Sequence, residues 1–185
     1  SFASASDVAA YMTSVGNVIS SDIGAFDIHV EAAYTGDKKT GSLIYPYTDI
    51  QEAVDNASDG QSIFLKGEFT ITSEISLPDG KSLYFFGNEE TEVKYASYDA
   101  SNGNIFSHTG SIYDCEFTFQ KIKFSNAGGY ALLIKKTKTV NIRNCQFVNN
   151  GWDGTELNTV LDSTSSGLLG YDSDQADLQA FYAGD

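Results

Sequence analysis

Arginine occurs once in this chain of 185 residues, at Arg143, and basic groups number 11 against 25 acidic ones. The resulting net charge of −14 repels phosphate backbones and anionic membrane surfaces, which excludes nucleic-acid binding as the main activity. Cysteine occurs only at Cys115 and Cys145, too few for a disulfide framework. No apolar run is long enough to span a bilayer, so no membrane insertion is expected. The first residues, Ser1 to Ser6, have neither the basic start nor the apolar core of a secretory leader. Histidine occurs only at His29 and His108, and neither has a nucleophile or ligand partner at a readable spacing. No metal and no cofactor is expected.

At 41% apolar and 13% aromatic, the chain can build a core, and its length fits one domain with an arm at either end. The acidity reads first as solubility in a salty medium. Acidic sites that collect divalent cations are the sharper alternative.

The strongest pattern is a repeat. Residues 117–126 and 140–149 read as one stretch written twice: Phe117 maps to Val140, Phe119 to Ile142, Ile122 to Cys145, Phe124 to Phe147 and Asn126 to Asn149. Within each copy the apolar positions alternate, skip by three, and alternate again. That pattern predicts two short strands with one face inward, joined by a bend, and a unit of this kind belongs to a coiled sheet whose turns stack. Cys145 falls where Ile122 sits, so it reads as a small buried apolar residue. Cys115 occupies a different place in the repeat, and a bridge between the two is not expected. Asn126 and Asn149 are expected to stack and hydrogen-bond along a bend.

Residues 1–27 read as an N-terminal arm, with a short helix near Asp7 to Met12 capped by Ser6. A strand follows from Ile28 to Ala32, then glycine-punctuated turns. Ile50, Ala53, Val54 and Ala57 form one apolar helical stripe. Thr48 and Gln51 have the spacing of a capping box, and Asp49 and Glu52 suit the first turn. Further strands are predicted at 62–66, 69–71, 75–77, 82–86, 92–95 and 131–134. Residues 98–110 read as a loop. First strands near Ile63, Leu83, Phe117 and Val140 give about four to five turns.

The entry segment also carries a likeness. A Gly36-Asp37 turn and a turn through Thr40, Gly41 and Ser42 come first. Pro46, Tyr47, Thr48 and the helix from Asp49 to Val54 follow, then Gly60 and the apolar strand Ile63, Phe64, Leu65, Lys66, Gly67. This run resembles the entry and capping helix of right-handed parallel β-helix proteins of the pectate-lyase-like superfamily. That group includes polysaccharide lyases and hydrolases, surface adhesins and phage tailspikes. The resemblance implies an all-β fold over residues 28–151: a right-handed parallel β-helix of about four to five turns, with a short capping helix. Residues 152–185 form a C-terminal arm or cap.

The resemblance implies no activity by itself, because the fold hosts enzymes and inert supports alike. Lyases of this type use clustered carboxylates for Ca²⁺ and an arginine or lysine base to abstract the proton beside a uronate. Arg143 points outward with Asn141, without an acidic neighbour in its own turn, and its equivalent one turn earlier is Gln120. The hydrolase pattern of paired aspartates, Gly-His-Gly and Arg-x-Lys is missing. The acidic turn through Glu89, Glu90 and Glu92 and the basic turn through Lys135, Lys136 and Lys138 read as solvated bends, the latter able to meet an acidic neighbour subunit. Asp172 and Asp174 begin like a Ca²⁺ loop but lack its Gly and Glu; a helix start capped by Asp174 competes with that reading.

Two functions therefore compete. The first is a structural or attachment protein, a small module of a virion tail, baseplate, capsid decoration or surface adhesin. It would sit at a virion or extracellular surface among copies of itself or neighbouring subunits, and offer a surface to protein or glycan. The second is a polysaccharide lyase or hydrolase, with its groove over Tyr84, Lys94, Thr118 and Asn141. Trp152, at the end of the repeat, completes the set of candidate binding residues. The last end of the stack needs a cap, supplied by the C-terminal arm or by another subunit.

Overall fold

A computed structural model describes residues 26–110 and 114–150. Trp152, the helices expected near Asp7 and Asp174, the acidic segment from Asp172 and the C-terminal cap lie outside the described residues. Among the described residues, twelve strands and one helix follow in order. They are β1 (Ile28–Glu31), α1 (Ile50–Asn56), β2 (Gln61–Lys66), β3 (Glu68–Ile71), β4 (Ile75–Ser76), β5 (Leu83–Phe86) and β6 (Glu92–Tyr95). Then come β7 (Phe106–Thr109), β8 (Glu116–Gln120), β9 (Lys123–Ser125), β10 (Leu132–Lys135), β11 (Thr139–Arg143) and β12 (Gln146–Val148).

The strands form three sheets, β1-β2-β5-β8-β11, β3-β6-β9-β12 and β4-β7-β10. Every strand pairing is parallel. From β2 onward each strand joins a different sheet from the one before it, and every third strand returns to the same sheet. The fold is thus predominantly β with one short helix, as the residue pattern predicts.

The repeat is realised as register. Val140 lies beside Phe117, Ile142 beside Phe119 and Phe147 beside Phe124. Between β2 and β5, Ile63 pairs with Phe85, and the partner of Leu83 is Gln61. A slip of two residues keeps every side chain on its own face, which is why alternation alone does not detect it.

Inward residues of all three sheets meet in one core. Phe85 and Phe119 stack at 5.2 Å in the first sheet, Phe124 and Phe147 at 5.2 Å in the second. Phe106 from the third sheet sets its ring against Phe85, Phe119 and Phe124 at 5.1, 5.2 and 6.1 Å. Each ring adds pair attraction to its burial.

The bends between strands carry their own signature. Lys121 and Asn144, at the skip in each repeat copy, have φ of 56° and 52°, and Asn126 and Asn149 have 65° and 52°. Asparagine tolerates this left-handed region through local hydrogen bonds. Between β2 and β3 the corresponding bend is Gly67, at φ 94°, where glycine adopts the conformation without a Cβ penalty. The expected pairing of Asn126 with Asn149 gives way to side-chain bonds with the backbone. Asn150, fully buried, donates to the Phe124 carbonyl and accepts from the Ala127 N–H, both at 3.0 Å. Asn126 instead donates to the Tyr95 carbonyl.

Helix α1 packs against β1 and β4 and buries Ile50, Ala53 and Val54, the predicted stripe. Its cap is Asp49 rather than Thr48. Asp49 has extended backbone, and its carboxylate accepts from Glu52 N–H at 2.8 Å. Thr48 Oγ1 is occupied by Lys39 Nζ at 2.6 Å. Gln51, not part of a capping box, reaches the edge strand β4: its Oε1 accepts from Ser76 N–H at 2.7 Å and its Nε2 donates to Ser76 carbonyl at 3.1 Å. One side-chain amide thus does for that edge what a neighbouring strand would do. The far edge of β1 is covered by Tyr47, whose backbone exchanges bonds with His29 and Glu31.

Residues 98–110 are not wholly a loop, since β7 lies within them. Its inward residues are Phe106 and His108, and a histidine in an inward place hides the strand from apolar alternation.

Candidate functional site

The outer face of the first sheet follows from its alternation. With Ile63, Leu83, Phe85, Phe117, Phe119 and Ile142 inward, the residues between them point out. Register places Ser62, Tyr84, Thr118 and Asn141 in one column across β2, β5, β8 and β11. Three of the predicted residues therefore come together as a row of hydroxyl, phenol and amide groups at the strand spacing of about 4.8 Å. Asn141 Nδ2 donates to Thr118 Oγ1 across 3.4 Å. At the start of the row, Ser62 N–H and Oγ–H both donate to the Asp27 carboxylate, at 2.8 and 2.7 Å. Those bonds hold Asp27 below its ordinary carboxylate pKa.

The neighbouring column runs His29, Phe64, Phe86, Gln120, Arg143. Its lower half is aromatic and covered by Phe26, whose ring stacks on Phe64 at 5.1 Å and tilts on Phe86 at 5.0 Å. His29 is buried beside this group, and burial lowers its pKa. Its upper half ends on the exposed Arg143, which takes part in none of the ion pairs among the described residues.

Lys94 does not join the column. It stands on β6 in the second sheet, where Nζ lies 2.7 Å from Glu68 and 3.9 Å from Glu92. Glu92 also meets Lys123 Nζ at 3.1 Å and accepts from Ser125 Oγ–H at 2.5 Å. Burial works to raise the Glu92 pKa, but the hydrogen bonds from Ser125 and Lys123 and the nearby lysine charges bring it below its ordinary value. The Glu68 contact raises that of Lys94. A hollow of about 480 Å³ opens beside this ionic ladder, lined by residues that include Glu89, Glu90, Lys121, Asn144 and Gln146. Of the basic turn, Lys138 is engaged within its own chain, 2.7 Å from Glu116.

Both cysteines are free thiols and buried. Cys145 is buried, as its match to Ile122 predicts, with its thiol donating to the Phe119 carbonyl at 3.4 Å, and burial pushes its pKa up to about 11. Burial and the neighbouring Asp114 carboxylate also raise that of Cys115, so without a further partner it is no activated nucleophile. His108 is not a surface residue. It is 1% exposed and lies against Phe117 at 4.9 Å. The fold brings Asp79, His108 and Cys115 together so that one ligand atom from each lies within 4.8 Å of the others. Sequence reading had no access to this group, because its members are 29 and 7 residues apart and meet only when successive bends stack. Among the described residues no helix is long and apolar enough to cross a membrane.

Comparison of the chain with protein-family models, with curated proteins and with solved structures finds no match.

Proposed function

We propose that the chain is a right-handed parallel β-helix module that serves as a structural or attachment part of a larger assembly. Its place is a virion tail, baseplate, capsid decoration or surface adhesin, and its outer face receives protein or glycan. The observation that carries this reading is the Ser62–Tyr84–Thr118–Asn141 column. It is a flat row of neutral donors and acceptors, repeated at strand spacing beside an aromatic column. Such a row suits a linear, repeating partner such as a glycan strand, and it lacks the convergent acid and base that bond cleavage requires. The rotation of successive parallel strands through three sheets around one core supports the coil. The ionic groups of the second sheet neutralise one another within the chain, which supports a scaffold role for that face.

Incubation with alginate, pectate and bacterial capsule tests it. Binding without new reducing ends or unsaturated product, weakened by Tyr84→Ala, is the expected result. Turnover of any of the three would replace this reading with the lyase or hydrolase one. The partner that closes the last turn is the C-terminal arm or a second subunit. An unaltered monomer after removal of residues 152–185 would count against that closure.

A further inference from the structure

The bends that stack beside the start of the first sheet hold a chemistry the outer faces do not need. Asp79 lies between β4 and β5, His108 is the inward residue near the end of β7, and Cys115 immediately precedes β8. His108 Nδ1 faces the Leu77 carbonyl at 3.3 Å. A carbonyl only accepts, so this contact places the ring proton on Nδ1 and leaves the lone pair on Nε2. That Nε2 is fully buried and has no hydrogen-bond partner, although a buried nitrogen left unsatisfied is costly. A Cβ placed on Gly110 would stand 2.5 Å from His108 Nε2 and 2.5 Å from Asp79 Oδ1, so glycine leaves a small space between the two. Cys115 Sγ accepts the Gly80 N–H at 3.1 Å and its thiol proton is donated to Asp114 Oδ1 at 3.3 Å.

We infer that Asp79, His108 and Cys115 form a binding site for a divalent transition metal of the zinc type. One imidazole nitrogen, one thiolate and one carboxylate suit Zn²⁺ or Co²⁺, whereas Ca²⁺ and Mg²⁺ select oxygen ligands. Three atoms within 4.8 Å of one another admit an ion no more than about 2.8 Å from each. A contraction of about half an ångström then reaches the usual ligand distances of about 2.0–2.3 Å. The carbonyl of Leu77 acts as the outer partner that orients a metal-bound histidine through its other ring nitrogen. Binding replaces the thiol proton of Cys115, which leaves to solvent. Asp79 is exposed while the other two are buried, so the ion enters from the Asp79 side and keeps a fourth position for water. The ion ties the bend at Asp79 to the next bend at His108 and Cys115.

Titration of the full chain with Co²⁺ alone tests the site, because thiolate ligation gives a charge-transfer band in the near ultraviolet. One equivalent should produce the band, and Zn²⁺ should displace Co²⁺ and raise Tm. With only two cysteines in the chain, Cys145→Ser should keep the band and Cys115→Ser should lose it. Gly110→Ala, which fills the space, should weaken binding at least about tenfold. Should Cys115→Ser fail to fold, the band in Cys145→Ser still assigns the sulfur. No band in the folded unmutated chain, or a band that Cys145→Ser abolishes, overturns the proposal.

Discussion

Phe119 and Thr118 are neighbours on β8 that face opposite ways, and replacing each by alanine separates core from surface. Phe119 is fully buried; it stacks on Phe85 at 5.2 Å and presents its edge to Phe106 and Phe124 at 5.2 and 6.0 Å. A buried Phe→Ala change costs about 3–5 kcal/mol from lost transfer energy and the residual cavity. Loss of the ring pairs is part of that sum, at about 0.5–1.5 kcal/mol for a pair. A domain has only about 5–15 kcal/mol of stability, so Phe119→Ala should remain folded with little in reserve. At a urea dependence of about 2 kcal/mol per molar, the unfolding midpoint followed by circular dichroism should fall by about 1.5–2.5 M. Thr118→Ala removes an outward hydroxyl with one long hydrogen bond to Asn141 and should change stability by about half a kcal/mol or less. If the two variants lose stability equally, or if Phe119→Ala costs under about 1 kcal/mol, the inward assignment of the repeat is wrong.

Asn150→Ala should cost about 2–4 kcal/mol by the same unfolding measurement, because it strands the Phe124 carbonyl and the Ala127 N–H; a loss under half a kcal/mol would show that water replaces the amide. Asp49→Ala should cost about 1 kcal/mol and Thr48→Ala much less, since the aspartate caps α1; the reverse order would restore the cap read from spacing. Glu92 has a folded-state pKa below its ordinary 4.5, so its bonds to Ser125 and Lys123 stabilise the fold above that value and are lost as pH falls through the lowered one. Glu92→Gln should therefore flatten the acid side of a Tm-against-pH curve, and parallel curves for variant and unmutated chain would refute that role.

The repeat was legible because residues 117–126 and 140–149 keep every inward place apolar and every bend the same length. Register then follows from counting, as Val140 beside Phe117 shows. Between Ile63 and Phe85 the connection differs in length, and a period of two leaves a two-residue slip invisible. Strand β7 was hidden because Ser107 and His108, both buried, read as loop residues. The cap of α1 was ambiguous for a different reason. Thr48 with Gln51 and Asp49 with Glu52 share one spacing, and only the extended backbone at Asp49 decides between them. On the outer face, Tyr84, Thr118 and Asn141 were placed together by alternation, whereas Lys94 was misplaced because alternation does not say which sheet a strand joins. Asp79, His108 and Cys115 meet through stacking of bends, which no local pattern encodes.

The bends between strands give a handle that needs no coordinates. Lys121 and Asn144 share one left-handed backbone setting, and Asn126 and Asn149 share it too, each pair 23 residues apart. Lys136 has the same setting at φ 53°, so a library of every single substitution should show these four positions among those that accept glycine and reject valine or isoleucine. Their intervals, 5, 18 and 5 residues, would print the order of strands and bends onto a survival map, so that the length of the repeat could be measured in living cells.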